Sequence, residues 1–271
     1  MLPLEDNYGD IIGKAMRGLG LTDATLARAA GLTVAAARAA RNGAFDPQAA
    51  PRLAQALNLN PAALLASGAH SWHPRVTGSA GVRQLTSPYG GGLTVNCYVI
   101  RDPAGRAAAL FDTGTDPAAI LDFVAAEKLS LHYIFLTHTH HDHLDCLPQI
   151  QRASGAPTLV QRNGDIGGVQ LFDWGAAFRL GVLTVTARQT TGHAADGTTF
   201  VVSGLARPVA VVGDALFAGS MGGGLVNYRE ALTMNRRNIY SLPDDTLLCP
   251  GHGPLTTVAL EKQHNPFYQS S

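Results

Sequence analysis

Several features are scarce in this chain, and each scarcity closes off a class of protein. Only three of its 271 residues are cysteine: Cys97, Cys146 and Cys249. They are widely spaced, with no Cys-x-x-Cys pair and no even-numbered framework, which argues against a disulfide scaffold and for a reducing, cytoplasmic setting. No apolar run approaches the roughly 18 residues needed to span a bilayer. The first ten residues, MLPLEDNYGD, lack the basic region and apolar core of a secretory leader, so neither a membrane partner nor export is expected. Charge of one sign is not in excess either. Lys plus Arg number 20 and Asp plus Glu 20, so nothing suggests a polyanion-binding surface over the whole molecule. There is no Gly-x-Ser-x-Gly elbow, no repeat of the solenoid or propeller kind, and no low-complexity tract. What remains is a chain 46% hydrophobic, ample for one large domain or two unequal ones.

Against that background the stretch His138 to His143, His-Thr-His-His-Asp-His, is conspicuous. It follows LHYIFLT (131 to 137), an apolar, β-branched and aromatic run that reads as a buried strand, so the imidazoles sit where a strand ends. His138 and His140, two apart in extended chain, fall on one side, and Asp142 and His143 come as the chain turns away. Such a set serves two neighbouring metals better than one, and imidazole with carboxylate suits zinc, iron or manganese. His141, the odd residue of the cluster, reads as solvated or as a hydrogen-bond donor behind the ligands. Three later strand-to-loop junctions each offer one more ligand: His193 in TTGHAADG, Asp214 after ARPVAVVGD, and His252 in LLCPGHG.

The seven residues together resemble the metallo-β-lactamase fold superfamily, whose pattern is His-x-His-x-Asp-His, then His, then a bridging Asp, then His. Within it the likeness is to glyoxalase II and its short bacterial relatives. It is carried by Asn96-Cys97-Tyr98, Phe111-Asp112-Thr113-Gly114, GDALFAGS (213 to 220), PGHGPLTT (250 to 257), and Glu261 with Asn265-Pro266-Phe267. The resemblance implies an αββα sandwich over residues 81 to 271, with the metals at one edge of two sheets. It implies that His138, His140 and His193 hold a first divalent metal, and Asp142, His143 and His252 a second, with Asp214 bridging; zinc is the expected metal, iron or manganese the alternatives. A water shared by two such cations has its pKa drawn from 15.7 toward about 7, which yields a hydroxide nucleophile at neutral pH. Asp142 and Asp214 are then the catalytic carboxylates. Asp112, at a strand end, is the candidate for orienting a ligand histidine or the metal loop.

The first seventy residues have a different texture, rich in alanine and arginine. Thr22 and Thr33 suit helix N-caps, Gly31 suits a helix end, and Asp46-Pro47 and Asn60-Pro61 each read as a cap followed by proline at the first helical position. About five short helices are predicted. Their core would draw on Ile11, Ile12, Leu19, Leu26, Ala30, Leu32, Val34, Leu53, Leu57, Leu59, Leu64 and Leu65. LTDATLARAAGLTVAAARAARNG resembles the helix-turn-helix of Cro and C1 repressors, with a recognition helix from about Thr33 to Arg41. That helix offers VAAARAAR, and alanines have nothing to donate to base edges in a major groove. Residues 1 to 70 carry six basic and five acidic residues, a weak footprint for DNA. A docking or dimerisation module is the preferred reading, with a DNA-binding regulator as the alternative and a homodimer as its natural assembly.

The expected organisation is α+β: a small all-α helix-turn-helix domain over 1–66, a linker over 67–80 in which His70 and His73 are solvated, and the sandwich over 81–271. The expected activity is hydrolysis of a small-molecule thioester, ester or lactone by a dinuclear centre. A single-iron persulfide dioxygenase, resembling this fold and using His138, His193 and Asp214, is the alternative enzyme. Departures from the glyoxalase pattern, MGGGLVNYRE after GDALFAGS and Leu144-Asp145-Cys146 after Asp142-His143, touch the pocket rather than the metals.

Overall fold

A computed structural model describes residues 2–269. Five helices come first: α1 (Tyr8–Leu19), α2 (Asp23–Ala30), α3 (Val34–Arg41), α4 (Ala50–Ala56) and α5 (Pro61–Gly68). Their ends follow from local chemistry. Thr22 and Thr33 accept from the backbone N–H groups of Thr25 and Ala36, and Gly31 closes α2 in the left-handed conformation that glycine adopts without a Cβ penalty. Asn60 caps α5 through the N–H of Ala63, with Pro61 at its first position. Asp46-Pro47 does otherwise: Asp46 Oδ1 accepts from Gln48 N and opens a turn, and α4 begins only at Ala50, without a side-chain cap.

The helical core is not closed on itself. Ile11, Ile12, Leu26, Leu53, Leu57 and Leu64 are buried, and Met221, Tyr228, Ala231 and Phe267 from far along the chain complete the cluster. Leu19, Val34 and Leu65, expected inside, are exposed. The segment after α5 is likewise anchored rather than loose. Trp72 stacks on His264 with ring centroids 4.7 Å apart, and His73, half-buried, bonds the carbonyls of Leu2 at 2.9 Å and Pro74 at 3.0 Å.

From residue 82 the chain turns to strands, the first largely exposed and the central ones near-continuous buried runs covered on both faces. Strands β1 (Val82–Tyr89), β2 (Leu93–Arg101), β3 (Ala107–Phe111), β4 (Ser130–Phe135), β5 (Thr158–Gln161) and β6 (Gln170–Phe172) form one sheet in sequence order. The first three pair antiparallel and the rest parallel. A second sheet has β7 (Ala177–Leu180), β8 (Leu183–Gln189), β9 (Thr198–Ser203), β10 (Val209–Gly213), β11 (Leu247–Pro250) and β12 (Thr256–Thr257), with β10 and β11 parallel. Inward residues Tyr98, Ile100, Phe111, Phe135, Phe200, Val202, Val209 and Val211 fill the space between the sheets. Each such large side chain contributes about 1.5–3 kcal/mol by leaving water.

Alternate residues face outward onto helices. Val99, Leu110 and Ile134 meet α6 (Pro117–Ala126) and α8 (Leu147–Ser154) through Ile120 and Ile150. Ala210, Val212 and Leu248 meet Ile239, just past α9 (Tyr228–Asn238), and Val258 of α10 (Val258–His264). The fold is therefore α+β, an αββα sandwich preceded by a helical region. One further short helix, α7 (His141–Leu144), lies between β4 and α8.

Candidate metal centre

The seven histidines and aspartates singled out in the sequence come together where strands of both sheets end. β4 stops at Phe135, and Leu136 and Thr137 lead into His138. α7 then turns Asp142 and His143 inward while His141 points to solvent, its ring 3.6 Å from Asp145. His193 follows β8, Asp214 follows β10, and His252 follows β11.

Two groups form. His140 Nδ1 lies 3.0 Å from His138 Nε2 and 3.1 Å from His193 Nε2. Asp142 Oδ2 lies 3.2 Å from His252 Nε2 and 3.6 Å from His143 Nε2. Asp214 stands between them: Oδ2 is 3.5 Å from His193 Nε2 and 3.4 Å from His252 Nε2, and Oδ1 is 3.3 Å from His143 Nε2.

The outward nitrogens fix the inward ones. His193 Nδ1 is 2.6 Å from the carbonyl of Gly222, and His252 Nδ1 is 2.6 Å from that of Thr94. A carbonyl only accepts, so both Nδ1 atoms carry hydrogen, and whenever the ring is neutral its Nε2 lone pair faces the centre. Asp112 does the same for His143, accepting from Nδ1 at 2.9 Å. It also accepts from Thr137 N at 2.7 Å and Thr137 Oγ1 at 2.8 Å. Because that hydroxyl donates to Asp112, its oxygen is free to accept from His138 Nδ1 at 3.1 Å. Inward lone pairs and two carboxylates thus converge, and His143 Nε2 and Asp214 Oδ1 are buried with no hydrogen-bond partner among the described residues. Such a donor set fits divalent cations, and three overlapping groups could hold them: His138, His140 and His193; His138, His143 and Asp214; Asp142, His143 and His252.

Protons are the competing cations. Burial lowers His143, but Asp214 and Asp112 outweigh it and raise its pKa to about 10. His252 rises to about 11, with Asp214 and Asp142 overcoming its burial. Burial and the neighbouring rings drive His138 well below the ordinary imidazole range. A metal ion taken up at His143 and His252 would therefore have to displace protons.

Two glycines are dictated by close approach. A side chain on Gly251 would meet Asp214 Oδ1 and come within 2.6 Å of His143 Cε1; one on Gly222 would meet the Asp214 carbonyl and lie 2.8 Å from His193 Nδ1. Asn96 Nδ2 donates to the carbonyls of Pro250 at 3.1 Å and Gly253 at 2.9 Å, and Tyr98 Oη to Pro250 at 2.7 Å, which together hold the His252 loop.

Sequence reasoning missed three things here. The Thr137 hydroxyl is one; its adjacency to His138 was the available signal. Asp196, buried near His140, is another, and burial raises its carboxyl. The third is the N-terminal segment, for which the sequence carries no signal. A side chain on Gly253 would come within 3.3 Å of Glu5 N and 3.5 Å of the Pro3 carbonyl. Asp6 bonds Ser220 Oγ at 2.5 Å and pairs with Lys14, whose Nζ also donates to the Met221 carbonyl at 2.7 Å.

Residues 90–183 match the family model described as the metallo-beta-lactamase superfamily. Within that stretch the chain is similar to the domains of that superfamily. Among curated relatives, a probable metallo-hydrolase of Streptococcus pyogenes is 28% identical over 199 residues, 63% of this chain and 84% of that protein. A hydroxyacylglutathione hydrolase of a Methylobacterium species is 33% identical over 159 residues, 57% of this chain and 60% of that protein. Among solved structures, the B3 metallo-beta-lactamase BLEG-1 superposes with a TM-score of 0.61 at 25% identity, covering 70% of this chain and 100% of that one. TTHA1623, crystallised in a di-iron-bound form, gives a TM-score of 0.56 at 27% identity over 69% of this chain and 100% of that one.

Proposed function

We propose that the chain is a metal-dependent hydrolase with a dinuclear centre, cleaving a thioester or a related ester or lactone. The observation that carries this reading is the position of Asp214, whose Oδ2 lies 3.5 Å from His193 Nε2 on one side and 3.4 Å from His252 Nε2 on the other. His138, His140 and His193 would hold one divalent metal and Asp142, His143 and His252 the second, with Asp214 common to both. Bound there, such a pair supplies Lewis acidity, lowering the pKa of water toward about 7 and polarising a carbonyl. Asp142 and Asp214 place negative charge beside both positions and orient the attacking water. Asp112 keeps His143 turned inward. No side-chain nucleophile is needed, in keeping with the lack of a Gly-x-Ser-x-Gly elbow.

Zinc suits the three-imidazole group, and the di-iron neighbour makes iron the alternative. The hydroxyacylglutathione hydrolase relative supports a thioester. A single-iron persulfide dioxygenase would leave the 3.2 Å approach of Asp142 to His252 without a purpose. For the helical region we favour a wall or docking unit over a DNA reader. Arg38 and Arg41, the basic residues of α3, are both paired with Asp23, at 3.0 Å and 2.9 Å. A homodimer and a cytoplasmic location accord with this reading, and all three cysteines are free and buried. The test is turnover of neutral thioesters, lactones and esters by the metal-loaded protein. Asp214→Ala should abolish it, and full activity in that variant would overturn the assignment.

A further inference from the structure

The segment that orients His193 cannot hold its own shape. It runs Met221-Gly222-Gly223-Gly224, and each glycine is required where it stands. A Cβ on Gly222 would meet the Asp214 carbonyl, Gly223 has a φ of 73°, and a Cβ on Gly224 would meet the backbone of Tyr228. Successive glycines leave the backbone with more conformational freedom to lose than any other sequence. Yet the Gly222 carbonyl accepts from His193 Nδ1 at 2.6 Å, and the Gly222 N–H donates to the Asp214 carbonyl at 3.0 Å. Contacts from outside the run have to fix it.

One end is fixed within the sandwich, where the N–H groups of Val226 and Asn227 donate to the Gly192 carbonyl, each at 3.0 Å. The other end is fixed by the helical region. Lys14 of α1 donates through Nζ to the Met221 carbonyl at 2.7 Å, one peptide before the carbonyl that meets His193. Met221 itself is buried in the helical core. The Lys14 side chain, 13% exposed, also pairs with Asp6 and places its ammonium 5.0 Å from the centroid of the Phe217 ring. Asp6 in turn accepts from Ser220 Oγ at 2.5 Å. Directly or through Asp6, one cation therefore pins Phe217, Ser220 and Met221 ahead of the glycines.

We propose that Lys14 is a positioning residue of the metal centre: by holding the Met221 carbonyl it sets the Gly222 carbonyl against His193 Nδ1, and so aims Nε2 at the metal shared with His138 and His140. The inference rests on the dinuclear reading and goes beyond it by giving the helical region a part in metal binding. Affinity for one metal, not both, then depends on Lys14. Loss of a group that orients a ligating histidine weakens metal binding about 10- to 100-fold, and Lys14, one peptide further out, belongs at the lower end.

The test compares the parent full chain with Lys14→Met and with Lys14→Met/Asp6→Asn, the second because removing Lys14 alone leaves a buried carboxylate unpaired. Leu53→Ala, which deletes apolar volume from the helical core without touching a polar contact of the loop, controls for lost stability. Two quantities are read: zinc affinity by competition with chelators, and solvent exchange of the His193 Nδ1–H in metal-free protein carrying isotope-labelled histidine. Both Lys14 variants should weaken one zinc equivalent about tenfold, leave the other within about twofold, and speed the exchange. Leu53→Ala should lower the melting temperature and change neither quantity. Unchanged zinc affinity or unchanged exchange in the double variant overturns the role of Lys14 alone. An equal loss in Leu53→Ala, or a double variant that no longer folds, makes the role one of stability and also overturns it. A parent protein that takes up no zinc removes the dinuclear reading, and the role of Lys14 with it.

Discussion

Asp112 Oδ2 accepts a hydrogen bond from His143 Nδ1 at 2.9 Å, and this contact turns the other nitrogen of the ring toward Asp214. Asp112 itself has a positive φ of 58°, a conformation an aspartate tolerates better than most residues, and it is 1% exposed. Its two oxygens face only donors: Thr137 N, Thr137 Oγ1 and His143 Nδ1. Asparagine has one acceptor oxygen and would point an N–H at one of them.

Asp112→Asn should therefore weaken metal binding about 10- to 100-fold. It should also lower stability by about 1–3 kcal/mol through the buried donor left unpaired. Competition with a graded series of chelators measures the first, and thermal unfolding the second. Equal metal affinity in the variant would mean that Asp112 serves the backbone turn and not the ring.

Gly251 offers a sharper separation of site from fold. Because a Cβ there would press on Asp214 Oδ1 and His143 Cε1, Gly251→Ala should expel metal while leaving the circular dichroism spectrum intact. Retention of full metal content would show that the loop yields to a methyl group at no cost to the centre.

Glu261 gives a pH dependence distinct from the metal site. Burial pushes its carboxyl up to about 7, although Thr256, Asn265 and the Gly219 N–H all donate to it. A pKa raised in the folded state means that between about 4.5 and 7 the native protein holds a proton the unfolded chain has released. Stability contributed by that proton is present at low pH and lost as pH rises through about 7, a change on the order of 3 kcal/mol. Chemical denaturation from pH 5 to 8 should show this fall in the parent protein and a flatter profile in Glu261→Gln. Parallel profiles would place the pH dependence elsewhere.

Much of this was legible in the sequence, for a local reason. The residues of the centre lie in the connections that follow β4, β8, β10 and β11, so the strands that end there carry them to the same edge. β2, β3, β4, β5, β8, β9, β10 and β11 announce themselves in LTVNCYVI, AAALFDTG, LHYIFLTH, APTLVQ, LTVTARQT, TTFVVSG, RPVAVVGD and TLLCPGHG, apolar or β-branched runs bounded by turns or helices. β1, β6 and β7 do not: VRQLTSPY is an edge strand with a proline next to its end, and QLF and AFRL are short and half-exposed. The approach of Glu5 to the His252 loop is not legible at all. It depends on α1 packing against α9, where the ring of Tyr228 lies against Gly18, and no spacing within either segment records that contact.

The most direct test of the central claim is elemental analysis of purified protein, expressed and handled without chelator, as metal equivalents per chain for the parent and for Asp214→Ala. Two equivalents in the parent, falling to one or fewer in the variant, is the predicted result. A single equivalent of iron in the parent, or no metal after reconstitution, would contradict a dinuclear centre built on Asp214.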